Sequence, residues 1–532
     1  MRKNSVIRGI LFVTLALFYF YGLTIPLLGP DEPRYAQVAR EMFERGDWIT
    51  PTLGGFTWFE KPVLLYWLEI ISFRTFGVSE FAARLGPATF GLLIICALWL
   101  FGKNIGLQAT NEIYGLNKQK FGEVAFSDLL AVTAASTIGL IVFSRGASFD
   151  IVLTFPLTAS LLCFYVWKTG RAGSWALISF YFFSGLSVLA KGLVGIIFPF
   201  AIAAVFEATS WFLARKEKSA SPIIARNFFK TLAWGTFITI AVSAIWFLPM
   251  YLIHGWKFID EFIIQHHFVR YTSNKYLHPQ PFYFFLWVLP LMLLPWTWFF
   301  IVGIYRSIRE IWKSRLFAEK GPSENFGLNS LKLYLIIWIT IPLVFFSLSG
   351  SKLPGYILPA VPPAIVIAAI EIRKFVNGKL SKLLFVYSLA AAVFIVSAVL
   401  LTFVVPRFAA DESVKSLVEA ADREGFLESR LAGLHTIEHN LEFYAAGRLI
   451  RNRDGGQHLF YGTSEIYELA KSEGKPLLVL VPNEYKKQVE EDKNFNKRLL
   501  ATNAQYSLFA VSVSDFVSTD AGSSDAESRE NN

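Results

Sequence analysis

"LFVTLALFYFYGLTIPLLGPDEPRYAQVAREMFERG", residues 11–46, joins an uncharged apolar run to a segment in which Asp31, Glu32 and Arg34 stand almost side by side. The apolar part, read as a span over residues 9–28, is of a length that crosses a hydrocarbon core of about 30 Å as a helix. The charge at its mouth is either a water-facing linker or the lip of a site, and the rest of the chain has to decide between them.

The remainder is equally apolar. Of 532 residues 54% are hydrophobic, and mean hydropathy is positive, which excludes an ordinary soluble protein. Apolar runs over 80–101, 124–143, 150–167, 175–190, 192–213, 230–252, 281–303, 331–348, 355–371 and 383–405 bring the expected spans to eleven. The fold class is an α-helical polytopic membrane protein with about 11 to 13 transmembrane helices. No small-residue cleavage site precedes GPDEP, so the first span reads as a retained anchor. If its basic start is cytoplasmic, the inner loops hold Lys103, Lys118, Lys120, Lys168, Arg171 and the ARKEK, YRSIREIWKSR and EIRKFVNGKLSK stretches. The net charge of +9 therefore serves topology and anionic lipid rather than nucleic acid. Both cysteines, Cys96 and Cys163, fall in spans, which argues against a disulfide framework or a thiolate metal centre.

After Pro406 the composition turns soluble. RLAGLHTI and KPLLVLVP read as strands, and TSEIYELAKSEG and NEYKKQVEEDKNF as helices. The expected organisation is a membrane domain over 1–406, a small α/β periplasmic C-terminal domain over 407–515, and a polar tail over 516–532 with nothing to bury.

Polar chemistry gathers at the outer ends of the spans rather than at mid-depth, where a transporter would hold it. Asp31, Glu32 and Arg34 follow the first span, and Glu60 and Lys61 share its outer segment. Asp150 opens the fourth span, Lys191 sits in a turn too short to leave the outer surface, and His266, His267 and Arg270 lie in a later outer segment. Each has an ordinary reading as well. Asp31 or Asp150 caps a helix, Glu60 and Lys61 form a solvated pair, Lys191 reaches for headgroups, and the histidines are interfacial hydrogen-bonding groups. The spacing of Tyr35, Val38, Ala39 and Met42 predicts a helix ending at Gly46, laid apolar side down on the membrane. A second interfacial or re-entrant helix is expected over WFEKPVLLYWLEIISFRTFG, interrupted by Pro62.

Taken as an ordered set, GPDEPRYAQVAREM, FEKPVLLYW, the Asp that opens the fourth span, LAKGLVG, HHFVRY and FFSLSGSKLPGYILPAVPP resemble the bacterial aminoarabinose transferase branch of the polyprenyl-phosphate-dependent membrane glycosyltransferases. That superfamily includes the protein O-mannosyltransferases and has the GT-C architecture; the resemblance runs over roughly residues 8–375. It implies an inverting enzyme of the bacterial inner membrane. Its donor is a sugar on undecaprenyl phosphate, its acceptor is lipid A or another envelope molecule, and its active site is periplasmic. Carried onto this chain, the resemblance makes Asp31 and Asp150 catalytic carboxylates. It makes Arg34, Lys61, Lys191 and Arg270 the donor-phosphate ligands, and places Glu32, Glu60, Lys352 and Tyr356 in the substrate cavity. A divalent metal at Glu60 with His266 or His267 is the one candidate cofactor, although QHH at Gln265–His267 departs from the HEH spacing of relatives. Within the enzyme class, a protein O-glycosyltransferase or a lipopolysaccharide core glycosyltransferase stays open; outside it, a lipid or sugar flippase and a non-catalytic assembly factor are the alternatives.

Overall fold

The computed structural model describes residues 9, 13–109, 125–216, 226–269, 280–313 and 324–513. Arg270, Lys118, Lys120, the ARKEK segment beyond Lys216 and the tail over 516–532 lie outside the described residues, as does the His267 side chain. The chain divides into two compact units. The first holds Met1–Thr24, Met42–Pro51 and Thr57–Phe403, and the second holds Ile25–Glu41, Thr52–Phe56 and Val404–Asn532.

Among the described residues of the whole chain, eight helices are long and apolar enough to cross a membrane, and they fall on eight of the eleven expected spans. The other three differ. The first is described only from residue 13 onward apart from Gly9, with helix over 13–20. The third is two short helices, Phe126–Ala135 and Ile138–Phe143, separated at Ser136 and Thr137, whose hydroxyls bond back to the Val132 and Thr133 carbonyls. The eighth is a pair, Phe284–Met292 and Thr297–Trp312, bent by 120°. Pro290 and Pro295 remove backbone donors around that bend. Hydropathy counts apolar residues and is blind to such breaks.

Close helix contacts in the first unit depend on small residues. A Cβ on Gly185 would meet the Thr239 carbonyl at 2.8 Å, and one on Gly235 would collide with the Tyr181 ring. Thr239 Oγ1 donates to the Tyr181 carbonyl at 3.0 Å across the same crossing. Phe164 anchors an aromatic core, with ring centroids 5.4 Å from both Phe180 and Phe228 and 6.0 Å from Tyr334. At the Lys168 end of the bundle the charges expected in loops fold inward. Lys168 is the last residue of the Phe149–Lys168 helix, almost fully buried, and pairs with Glu207. Arg306 reaches Glu371 at 2.7 Å, while Lys374 bridges Glu371 and Glu310 and Lys332 closes on Glu310. Ions removed from water must be paired, and the shielded members Lys168, Glu207, Lys332 and Glu371 are, with the more exposed Arg306 and Glu310 serving as partners.

In the second unit a five-stranded sheet has the order β4-β3-β5-β7-β6, after a two-stranded ribbon of β1 (Thr52–Leu53) and β2 (Phe56–Thr57). Strands β3 (Leu431–Leu434), β4 (Leu459–Phe460) and β5 (Leu477–Pro482) run parallel; β7 (Tyr506–Ser512) is antiparallel to both β5 and β6 (Asn496–Thr502). The unbroken apolar run of β5 follows from burial on two sides. Leu478 and Leu480 join Leu417 and Val418 of the Lys415–Arg423 helix, whereas Val479 and Val481 join Ile466 and Ala470 of the Thr463–Glu473 helix.

Arg451 and Glu442 form an ion pair in this unit, with side chains only 8% and 4% exposed, and Gln457 Nε2 donates to the same carboxylate at 2.7 Å. Arg451→Ala leaves Glu442 charged and buried without its cation. The expected cost is about 3–5 kcal/mol, read as faster amide exchange in β3 and β4 and a lower denaturation midpoint.

Candidate functional site

In the first unit the site is built from the ends of three elements. Asp150 lies in the first turn of the Phe149–Lys168 helix and Lys191 is the last residue of the Ser174–Lys191 helix; the two form an ion pair with side chains 19% and 17% exposed. LAKGLVG has its composition for two local reasons. Gly192 closes the helix at φ +69°, a conformation costly for other residues, and donates its N–H to the Val188 carbonyl at 2.8 Å. Gly195 comes so close to the Ser187 backbone that no Cβ fits. The turn is therefore tight, and Lys191 is held where two spans meet.

The third element is the 3₁₀ turn Pro354–Ala360. Gly355 lies directly against the Asp150 carboxylate, and a Cβ there would come within 2.0 Å of Oδ2. This lets the Tyr356 ring face the ammonium of Lys191, 4.8 Å from Nζ to the ring centroid. Lys352, buried in the preceding loop, donates to the Ser349 carbonyl at 2.6 Å. Asp150, Lys191 and Tyr356 are thus one cluster, with Lys352 held beside the same turn.

Lys61 is 3.8 Å from Glu60, both largely shielded from solvent. Pro62 stands before the Leu64–Phe76 helix and does not interrupt it. That helix is anchored to the Asp150 element, since the Tyr66 ring meets Phe149 edge-on at 5.4 Å. Two contacts that the sequence does not advertise hold the outer segment to the end of the Leu232–Phe258 helix: Thr50 Oγ1 with His254 Nε2 at 2.9 Å, and Trp246 Nε1 donating to the Ile49 carbonyl at 2.8 Å. His266 falls in the following segment, Ile259–Val269. Among the described residues no group of three His, Cys, Asp or Glu side chains could hold a metal ion; the His267 side chain, part of the expected metal set, lies outside them.

In the second unit, Asp31 begins the Asp31–Arg45 helix, which ends where Gly46 takes φ +67°. Arg34 bonds Asp31 Oδ1 at 2.7 Å and the Pro30 carbonyl at 2.7 Å. Glu32 reaches back to the Leu28 N–H at 3.0 Å, a role in the turn before the helix. The face of Tyr35, Val38, Ala39 and Met42 is buried in protein instead of lying on lipid. Glu41 explains much of that burial. Its carboxylate accepts from Thr52 Oγ1, the Gly54 N–H and the Gly55 N–H, so the helix is tied to a protein loop.

Segment Ile25–Glu41 is also tied to residues near position 440. The Leu27 N–H donates to Tyr444 Oη at 2.8 Å, and an Arg40 Nη donates to the Phe443 carbonyl. His439, on this same stretch, interacts electrostatically with Arg34 and Asp31, and burial followed by the Arg34 charge lowers its pKa below the usual histidine value. No short motif flags His439 or Tyr444, because they reach the DE segment across some 400 residues of chain.

The three described cations assigned to donor phosphate, Arg34, Lys61 and Lys191, each have a carboxylate neighbour of their own. Each charge is therefore offset locally, and an anion need not be invoked to explain it.

The profile of the dolichyl-phosphate-mannose-protein mannosyltransferase family matches residues 9–259. An undecaprenyl phosphate-alpha-4-amino-4-deoxy-L-arabinose arabinosyl transferase of Wigglesworthia glossinidia brevipalpis is 27% identical over 76% of this chain and 66% of its own length. The protein of that name in Serratia proteamaculans is 26% identical over 69% of this chain and 60% of its own. The matched part of this chain thus spans less than two thirds of the length of these curated relatives. Among solved structures, ArnT from Cupriavidus metallidurans bound to undecaprenyl phosphate shares the fold, with a TM-score of 0.68 at 20% identity over 94% of this chain and 97% of that one. Profile and relatives agree in a likeness to the aminoarabinose transferases and the protein mannosyltransferases, and the chain has the fold of the ArnT structure.

Proposed function

We propose that this protein is an inverting glycosyltransferase that moves a sugar from undecaprenyl phosphate to lipid A or another cell-envelope acceptor. The sugar is 4-amino-4-deoxy-L-arabinose or a close relative, and the reaction takes place on the periplasmic face of the inner membrane. The observation that carries this reading is the Asp150, Lys191 and Tyr356 cluster, built from two span ends and the SGSKLPGY loop. A cation held at the end of an apolar helix suits a phosphate that travels on a lipid, and the names of the curated relatives supply the carrier and the sugar. In this reading Lys191 and Lys61, with Arg34 and Arg270, bind the donor phosphate and offset its charge as it leaves. Asp150 orients Lys191 and bonds the sugar or acceptor, and Tyr356 and Lys352 line the carrier path. Asp31 is the catalytic carboxylate. It takes the proton from a hydroxyl acceptor, or stabilises the positive charge developing on the sugar when the acceptor is an ionised phosphate. Comparing lipids and lipopolysaccharide by mass spectrometry from cells with and without the gene tests the reaction as a whole, and an unchanged envelope refutes it.

Asp31→Asn keeps donor binding and lowers turnover by about 10²-fold or more, the scale of a lost acid/base or electrostatic contribution. Single-turnover transfer by purified protein reports it.

Replacing Lys191 with methionine weakens binding of undecaprenyl phosphate, loaded or empty, by about 1.5–3 kcal/mol. Neutral polyprenol binds equally poorly to wild type and variant, so a competition between phosphate and alcohol isolates the contribution of charge.

Orientation is tested by thiol labelling of spheroplasts. Cysteine at the exposed Ser464 reacts with an impermeant reagent, and cysteine at the exposed Lys379 does not; the reverse pattern overturns the periplasmic assignment.

A further inference from the structure

We propose that Lys352 and Ser351 form a second anion site, in the SGSKLPGY loop, and that its ligand is a phosphate monoester. This rests on the reading of the adjoining Asp150, Lys191 and Tyr356 cluster as the phosphate-handling end of a glycosyltransferase.

Charge sets Lys352 apart from the other cations of the candidate site. Arg34, Lys61 and Lys191 each have a carboxylate neighbour. Lys352, 7% exposed, has none among the described residues, and its one hydrogen bond there goes to the Ser349 carbonyl at 2.6 Å. Asp150, the carboxylate at this turn, lies against Gly355 and is engaged by Lys191. A lysine ammonium can donate several hydrogen bonds, so most of its capacity remains. The residue before it, Ser351, is 1% exposed, and its Oγ has no partner among the described residues. Burying a cation without a counter-charge is costly, and so is burying an unpaired hydroxyl. Both in consecutive residues ask for a ligand that answers them together.

The loop is built to hold these groups. Ser349 Oγ donates to the Ser351 carbonyl at 3.0 Å, Lys352 folds back on the Ser349 carbonyl, and Pro354 then opens the Pro354–Ala360 turn. The ammonium is thus fixed before an anion arrives, and little side-chain freedom is left to lose on binding. Through the same turn Tyr356 faces Lys191, so the unpaired cation stands in the loop that completes the first cluster.

A phosphate monoester suits this donor set. Its oxygens accept several hydrogen bonds at once, and it carries about two negative charges near neutrality. The Asp150 and Lys191 pair has no net charge to set against them, and Lys352 supplies one. In the proposed reaction that chemistry has two sources: the carrier once its sugar has left, and the phosphates of an acceptor such as lipid A.

The test measures binding to the full-length purified protein of undecaprenyl phosphate against polyprenol, and of lipid A against dephosphorylated lipid A. Wild type, Lys352→Met, Ser351→Ala and Lys191→Met are compared. Lys352→Met weakens binding of one phosphate compound or both about 10-fold or more, the effect of a lost charged hydrogen bond, and Ser351→Ala weakens it about 3-fold. The phosphate-free partners bind as they do to wild type. Loss confined to undecaprenyl phosphate assigns the site to the spent carrier, and loss confined to lipid A assigns it to the acceptor. Ser351→Ala removes a single oxygen and reports even where Lys352→Met does not fold. Folded variants that keep the full advantage of phosphate overturn the proposal, as does a loss shared equally by the phosphate-free partners. If Lys191→Met alone loses that advantage, the proposed function stands without the second site. A wild type indifferent to phosphate instead overturns the reading on which the site rests, so the two failures are distinguishable.

Discussion

Lys191 ends one membrane helix and Asp150 begins another, and an ammonium at such a place needs an anion or a route to water. The protein supplies the anion, and supplying it fixes much of the surrounding structure. The Lys191 helix must stop there, which requires Gly192 to reverse the chain and Gly195 to fold back on the Ser187 carbonyl. The loop between two late spans must approach without a side chain at Gly355, because the carboxylate already fills that space. Once it does, Tyr356 faces the ammonium. One ion pair therefore accounts for three glycines and an aromatic residue drawn from distant parts of the chain.

The same economy holds at the opposite end of the bundle, with a different result. A helix of 20 residues separates Asp150 from Lys168 by roughly 30 Å, and there Lys168 and Glu207 are nearly inaccessible to solvent. That pair is closed to water, and its remaining hydrogen bonds go to the backbone at Arg226 and Phe228. The Asp150 and Lys191 pair keeps part of its surface open.

Much of this was legible in the sequence because hydropathy and helix signals are local. Eight spans, the Asp31–Arg45 helix, β3, β5 and the Thr463–Glu473 helix lie where composition and periodicity place them. The bend at 293–296 and the break at Ser136 were not legible, since a run of apolar residues reads the same whether the helix is straight or folded. Of the candidate residues, Asp150, Lys191 and Tyr356 could be listed but not joined by local reasoning, because their meeting depends on helix crossing rather than on spacing. The ordered motif set carried that step. His439 and the pinning of Leu27 by Tyr444 had no signal at all. Nothing local marks an α/β domain after the last span as the holder of a segment that follows the first.

The spans also differ sharply in what surrounds them. Pro354–Val376 is 94% enclosed by protein over its most apolar window, whereas Phe229–His266 is 17% enclosed and Leu380–Glu412 only 6%. Helices so exposed are held by their solvent more than by neighbouring side chains, and for them lipid takes the part that a core plays elsewhere. The protein has two kinds of resilience as a result. The arrangement around Tyr356 is guarded by packing and should outlast a change of surroundings, while the outermost helices answer to bilayer thickness and to the detergent that replaces it. Extraction from the membrane is therefore a perturbation of the fold in its own right, felt first at the periphery.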